Sequence, residues 1–270
     1  MPFLLKLFAG VSLQGPRGLI TGPAAQRHRL ALLALLATSR QQTLSRDKLL
    51  AWLWQARDAE HARGLLNQAV HALRRELGDA ALLSVGDDLR LNPEIVQCDV
   101  IAFEEALAAG QHARAAGLYA GPFLDGFFLS DAREFEHWVA RERGRLAAAY
   151  ASALEALAQA AEGRKDFRAA AQWWRARAAH DPYSGHAALR LMRALEAAGD
   201  RAGALQQARV HAALLREEFD AEPDPEVTAF AERLRVAPSA RSAPEPVAIG
   251  TALEPPRQGP PPAGSGEKPA

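Results

Sequence analysis

The chain has 270 residues, 49% hydrophobic and 24% charged, with 32 Lys+Arg against 32 Asp+Glu and a formal net charge of +0. That length suits one large or two modest domains, and a balanced charge excludes a protein whose overall field draws nucleic acid or acidic membranes to it. A single cysteine, Cys98, excludes an internal disulfide framework and Cys-rich zinc sites, and with no His/Asn context it reads as core filler rather than a nucleophile.

The N-terminal MPFLLKLFAGVSLQ is apolar but interrupted by Lys6 and Gly10, and it reads as a strand rather than a signal peptide. Residues 11–20 hold Gly15-Pro16-Arg17-Gly18, a turn signal between two extended pieces, so a small N-terminal sheet is predicted. Gly22-Pro23 leads into a first helix from about Ala24 to Thr38, with Leu32, Leu33, Leu35 and Leu36 as its buried face. Ser45 is a good N-cap for a second helix that turns Leu49, Leu50 and Leu53 inward. Asp58 caps a third helix, which runs to Leu77 and stops at Gly78. Residues 82–85 and 89–91, joined through Gly86-Asp87-Asp88, predict a hairpin that Pro93 ends.

From near Asp99 to about Val236 the pattern is helical. It contains related segments at Ala108, Ala160 and Ala197, and the 36 residues from Gly163 to Gly199 lie close to the roughly 34 of tetratricopeptide arrays. A TPR-like stack of helix pairs with a concave protein-binding face follows. Residues 237–270 hold nine of the seventeen prolines and are expected to be a disordered tail or a linker. The expected organisation is therefore 1–97, 98–236 and 237–270, a mainly α protein in three parts. No stretch approaches the roughly 20 apolar residues that cross a bilayer, so a cytoplasmic protein without membrane contact is expected.

Two helices in tandem and a hairpin, in that order, describe a winged helix-turn-helix whose second helix can enter a DNA major groove. The third helix has two faces. Ala62, Leu66, Ala69, Leu73 and Leu77 form a buried stripe, while Arg63, Asn67, His71 and Arg74 lie opposite, flanked by Gly64, Gln68 and Arg75. Arg pairs with guanine and Asn or Gln with adenine, so Arg63, Asn67, Gln68 and His71 are the candidates for base edges. Arg46, Lys48, Arg74, Arg75 and Arg90 are the candidates for the phosphate backbone. Gly64 leaves room for close backbone approach to DNA, or is simple tolerance near a helix start. Charge distribution agrees: residues 1–97 carry 12 Lys/Arg against 8 Asp/Glu, leaving 20 against 24 for the remainder.

The motifs GPAAQRHRLALLALLA, LSRDKLLAWLW, ARGLLNQAVHALRREL and GDDLRLN, followed by CDVIAFEEAL, YAGPFLDGF, EFEHWVARER, ALRLMRALEAAGDRAGAL and FDAEPDPEV, make residues 3–236 resemble the SARP family of transcriptional activators. The resemblance implies an OmpR-type winged helix followed by a bacterial transcriptional activator domain, BTAD. It further implies binding to direct repeats in double-stranded promoter DNA, homodimer contacts and engagement of RNA polymerase. Two features depart from the family: Ala72 follows His71 where an Arg is frequent, and the wing tip Gly86-Asp87-Asp88 is acidic, leaving Arg90 as its basic contact.

No phosphate-loop or dinucleotide motif is present, the eight histidines have no metal spacing, and adjacent carboxylates such as Glu104-Glu105 read as solvated surface. A regulator that is not an enzyme and needs no cofactor or metal is expected. The alternative is a protein-interaction scaffold whose winged helix no longer binds DNA, motivated by the acidic wing and the neutral balance.

Overall fold

The computed structural model describes residues 2–39 and 43–236; the expected proline-rich tail lies outside the described residues. The chain opens with β1 (Phe3–Lys6), β2 (Ser12–Gly15) and β3 (Gly18–Leu19), antiparallel neighbours in one small sheet. A 3-10 turn at Gly22–Ala25 and one extended residue, Gln26, precede α1 (Arg27–Thr38). The first helix thus begins later than Gly22-Pro23 suggested, because Pro23 sits in the 3-10 turn and Gln26 then breaks helical geometry. Nor does α1 bury one face: every residue from Leu30 to Ala37 is buried, as in a central helix surrounded by protein.

A short strand β4 (Thr43–Ser45) leads into α2 (Arg46–Leu53), where Ser45 Oγ accepts the Lys48 N–H at 3.3 Å. α3 (Ala59–Leu77) follows, then a 3-10 turn and the hairpin of β5 (Leu82–Val85) and β6 (Asp88–Leu91). Val85 pairs with Asp88, so the loop is the two residues Gly86 and Asp87, and Gly86 at φ +59 supplies the positive first position of a II′-like turn. The second sheet has the order β4-β6-β5, with Leu44 opposite Leu89.

The junction between the expected first and second parts is continuous. β7 (Val96–Cys98) lies parallel to β1, with Phe3 opposite Val96 and Leu5 opposite Cys98, and α4 (Asp99–Ala108) starts at the next residue. The Asp99 carboxylate accepts the Leu7 N–H (2.9 and 3.0 Å), the Phe8 N–H (3.1 Å) and the Val100 N–H (2.8 Å). It therefore binds the end of β1 to the start of α4. Cys98 is 3% exposed, and burial pushes its thiol up to about 12, which makes it inert core.

After α5 (His112–Leu118) the chain is not helical. Residues 119–132 form a strap that returns to the first sheet: Ala9 N–H donates to Pro122 O (3.0 Å) and Leu124 N–H to Leu7 O (2.8 Å). Phe123, Leu124, Phe127 and Leu129 are buried under it, and Arg143 donates to the carbonyls of Phe123 and Leu124. Arg143 belongs to α6 (Arg133–Gly163), whose Trp138 packs on Trp52 of α2 with ring centroids 6.1 Å apart.

One apolar core consequently runs from Leu5 to Leu146, crossing residues 97 and 98 without a break. A second spans Ala158 to Leu234. The latter is built from the C-terminal end of α6, α7 (Phe167–His180), α8 (Gly185–Ala197), α9 (Arg201–Phe219) and α10 (Pro225–Val236). The repeat seen in the sequence is a repeat of turns. Gln111 N–H reaches Ala106 O (2.8 Å), Asp166 N–H reaches Ala161 O (2.9 Å) and Asp200 N–H reaches Leu195 O (2.8 Å), each a Schellman-type closure. Gly110, Lys165 and Gly199 hold the matching left-handed positions.

Burial raises the Asp99 carboxyl above its ordinary value of 3.8, against the lowering effect of the three amides. Removing its acceptors strands amides of the buried Leu7 and Phe8, so Asp99→Ala should cost about 2–4 kcal/mol in a denaturant melt. A raised folded pKa means that this group's contribution is complete below 3.8 and is lost as pH rises through the raised value. Wild type should accordingly lose stability relative to Asp99→Asn as the pH rises from 3.8 through the raised value, with a constant difference above it. A difference independent of pH would contradict the assignment.

Candidate nucleic-acid interface

α3 is fixed at both ends. The Asp58 carboxylate accepts the His61 N–H at 2.9 Å, and that hydrogen bond holds its carboxyl below the ordinary value; Gly78 at φ +92 terminates the helix. Between them Ala62, Leu66, Ala69, Leu73 and Leu77 are buried as their spacing predicted, with Val70 added. The opposite face exposes Arg63, Gly64, Asn67, Gln68, His71 and Arg75 along a helix about 28 Å long.

The candidate contact residues do not share one fate. Arg63, Gln68, His71, Arg75 and Arg90 are exposed, and among the described residues their side chains make no hydrogen bond or ion pair. Lys48 is exposed as well, with its ammonium 4.8 Å from the centroid of the Trp52 ring. Arg46 crosses from α2 to α3, where Nη1 donates to Asn67 Oδ1 at 3.1 Å. Arg74 turns the other way. Its Nε and Nη2 donate to Leu82 O at 3.0 and 2.7 Å, and Nη2 also donates to Ser84 Oγ at 3.1 Å. Arg74 therefore ties α3 to β5 and sets the hairpin's angle, whereas its neighbour Arg75 points to solvent.

Two clefts border the exposed face. One, about 350 Å³, lies between α2, α3 and the wing tip and is lined by Arg46, Arg63, Asn67 and Asp87. The other, about 370 Å³, includes His28, Arg29, Trp54, Arg57 and Gln68. His28 stacks on Trp54 at 5.5 Å, and burial, with some help from the Arg57 charge, lowers its pKa. Arg29 and Arg57 are cations beside α3 that sequence reasoning passed over, since neither lies on a patterned helix face. A Cβ on Gly64 would meet nothing within 4 Å, so no packing inside the protein requires glycine there. The wing tip is joined to α2 through its backbone, with the Asp87 main-chain carbonyl accepting the Arg46 backbone N–H at 3.1 Å. Among the described residues no group of His, Cys, Asp or Glu is arranged to hold a metal ion, and no helix is long and apolar enough to cross a membrane.

A capped helix, a turn, a longer helix with one naked polar face and a hairpin pinned to its far end make a winged helix-turn-helix, here continuous with an array of helix pairs. The match to known families is direct. Residues 24–84 match "Transcriptional regulatory protein, C terminal", and residues 98–235 match "Bacterial transcriptional activator domain". The chain belongs to the bacterial transcriptional activator domain family, in the SARP-type arrangement with an OmpR-like winged helix in front. These are families of transcriptional regulators. The fold is also that of Mycobacterium tuberculosis EmbR, solved in complex with a low-affinity phosphopeptide: 22% identity and a TM-score of 0.58 over 86% of this chain. The chain spans 65% of that EmbR chain. No curated protein matches it.

Replacing Arg74 by Ala removes charge-assisted hydrogen bonds to a half-buried carbonyl and should cost about 1–3 kcal/mol. Amide exchange in β5 and β6 should accelerate in the same variant. Arg75→Ala, with no internal partner, should leave both melting and exchange unchanged; equal effects from the two would refute the distinction.

Proposed function

We propose that the protein is a sequence-specific DNA-binding transcriptional regulator that activates from direct repeats in promoter DNA. In this reading residues 1–97 read the operator, and residues 98–236 support homodimer contacts and engage RNA polymerase. The observation that carries it is the face of α3: Arg63, Gln68, His71 and Arg75 are exposed and unpaired with any described residue, on a helix held rigidly by its cap, its buried stripe and Arg74. A surface helix whose donors are unengaged beside a basic cleft suits base edges in a major groove.

The contact roles divide accordingly. Arg63, Asn67, Gln68 and His71 address base edges, and Lys48, Arg75, Arg90 and the outer edge of Arg46 address phosphates. Arg74 positions the wing instead. With about three or four phosphate contacts per protomer, log K for a single half-site should fall against log[salt] with a slope of about −2.7 to −3.6. The scaffold alternative draws on the acidic wing tip and on the internal engagement of Arg46 and Arg74, which thin the free positive charge. No affinity for any fragment of genomic DNA at low salt would favour it.

Arg63→Ala should weaken the preferred site by about 1–3 kcal/mol and flatten sequence preference at one position. Arg75→Ala should weaken all sequences alike and reduce the salt slope by about 1. Equal losses on specific and non-specific DNA for Arg63→Ala would remove it from base readout. Gly64→Ala offers a second measure, since it should stabilise the free protein by about 0.5–1 kcal/mol. A simultaneous fall in DNA affinity would place the α3 backbone against DNA at that point, and unchanged affinity would not.

A further inference from the structure

Arg46 is the first residue of α2, and both ends of it are held. Its backbone N–H donates to the Asp87 carbonyl at the wing tip (3.1 Å), and its Nη1 donates to Asn67 Oδ1 on α3 (3.1 Å). Its side chain spans the cleft that Arg63 and Asp87 also line. One chain of hydrogen bonds therefore runs from the wing through α2 to the middle of the exposed face of α3.

This arrangement changes what Asn67 offers. An asparagine amide carries an accepting carbonyl and a donating NH₂. Pairing with adenine uses both, the carbonyl taking the N6 amino proton while the NH₂ donates to N7. Here the carbonyl already faces a guanidinium, and a full positive charge stands beside it. An incoming amino group, on adenine N6 or cytosine N4, meets that charge and a carbonyl with one of its two lone pairs already used. Guanine presents O6 and N7, both acceptors, to the NH₂ that remains. In the free protein the Arg46–Asn67 bond is exposed and competes with water. Covered by DNA it is desolvated, and a charge-assisted hydrogen bond strengthens there. The remaining N–H groups of Arg46 then face the phosphates, which hold the guanidinium in place.

We propose that Arg46 sets the base preference of Asn67, making it a reader of guanine where an unassisted asparagine would read adenine. The proposal rests on the DNA-reading assignment of α3. It makes Arg46 a specificity-positioning residue rather than a phosphate contact alone.

The test selects binding sites from randomised double-stranded DNA using the full chain, as wild type, Asn67→Ala and Arg46→Met. The position whose preference flattens in Asn67→Ala is the one Asn67 reads. Wild type should favour guanine over adenine there by about fivefold or more, and Arg46→Met should reverse that preference while leaving the other positions unchanged. Adenine preferred by wild type, or guanine retained by Arg46→Met, overturns the proposal. A second measurement needs no variant: in wild type, purine without its amino group, placed at that position, should bind about threefold or more tighter than adenine. No gain would overturn the proposal even if Arg46→Met proved unstable. Failure of wild type to enrich any sequence would instead overturn the DNA-reading assignment, and this proposal with it.

Discussion

The Asp99 carboxylate is the constraint from which the rest of this structure is built. It accepts amide protons from Leu7, Phe8 and Val100, at the junction between the N-terminal sheet and the first helix of the second part. The parallel pairing of β1 with β7 brings Asp99 to that point, and burial beside Cys98 keeps water from competing. The strap at residues 119–132 then lies along the same edge, where the Leu7 carbonyl accepts the Leu124 amide. Two segments that sequence treats as separate thus share a core through Leu146. Relative motion of the winged helix and the first helices of the array would break buried hydrogen bonds and open that core, so α4 and the first part of α6 behave as extensions of the winged helix.

Within that frame the cations around α3 do different work although they look alike in sequence. Arg74 and Arg75 are adjacent, yet one helical step of about 100° sends Arg74 to the Leu82 carbonyl and Arg75 to solvent. Arg46 is tied into the asparagine it faces. A count of basic residues therefore overstates the charge free to meet phosphate. The free charge sits on Lys48, Arg57, Arg63, Arg75 and Arg90, while the clamped arginines determine where those charges stand.

Much of the fold is legible in the sequence. Ser45, Asp58 and Gly78 act at helix ends through local hydrogen bonds and a positive φ, interactions that span only a few residues. The stripe from Ala62 to Leu77 follows helical periodicity, and Gly86 marks the hairpin turn. β4 and β7 were missed. Each is three residues long, too short to show alternation, and each exists because a distant strand supplies a free edge. The strap was absorbed into a supposedly continuous helical region. Its path is set by buried side chains and backbone hydrogen bonds to a sheet more than a hundred residues earlier, and by Arg143.

The same division holds for the candidate site. Sequence alone determined which residues share the polar face of α3, because helix geometry is local and the caps fix its start and stop. It also determined the order of elements, and with it the family. Which of those residues remain available to a partner was decided only by tertiary structure. Arg74 is withdrawn by a carbonyl on the following hairpin, Asn67 is oriented by a side chain from the preceding helix, and Arg29 of α1 and Arg57 of the α2–α3 turn join the rim from outside α3. A hydrogen bond consumes a donor or an acceptor wherever its partner lies along the chain, and spacing in sequence carries no record of partners brought together by folding.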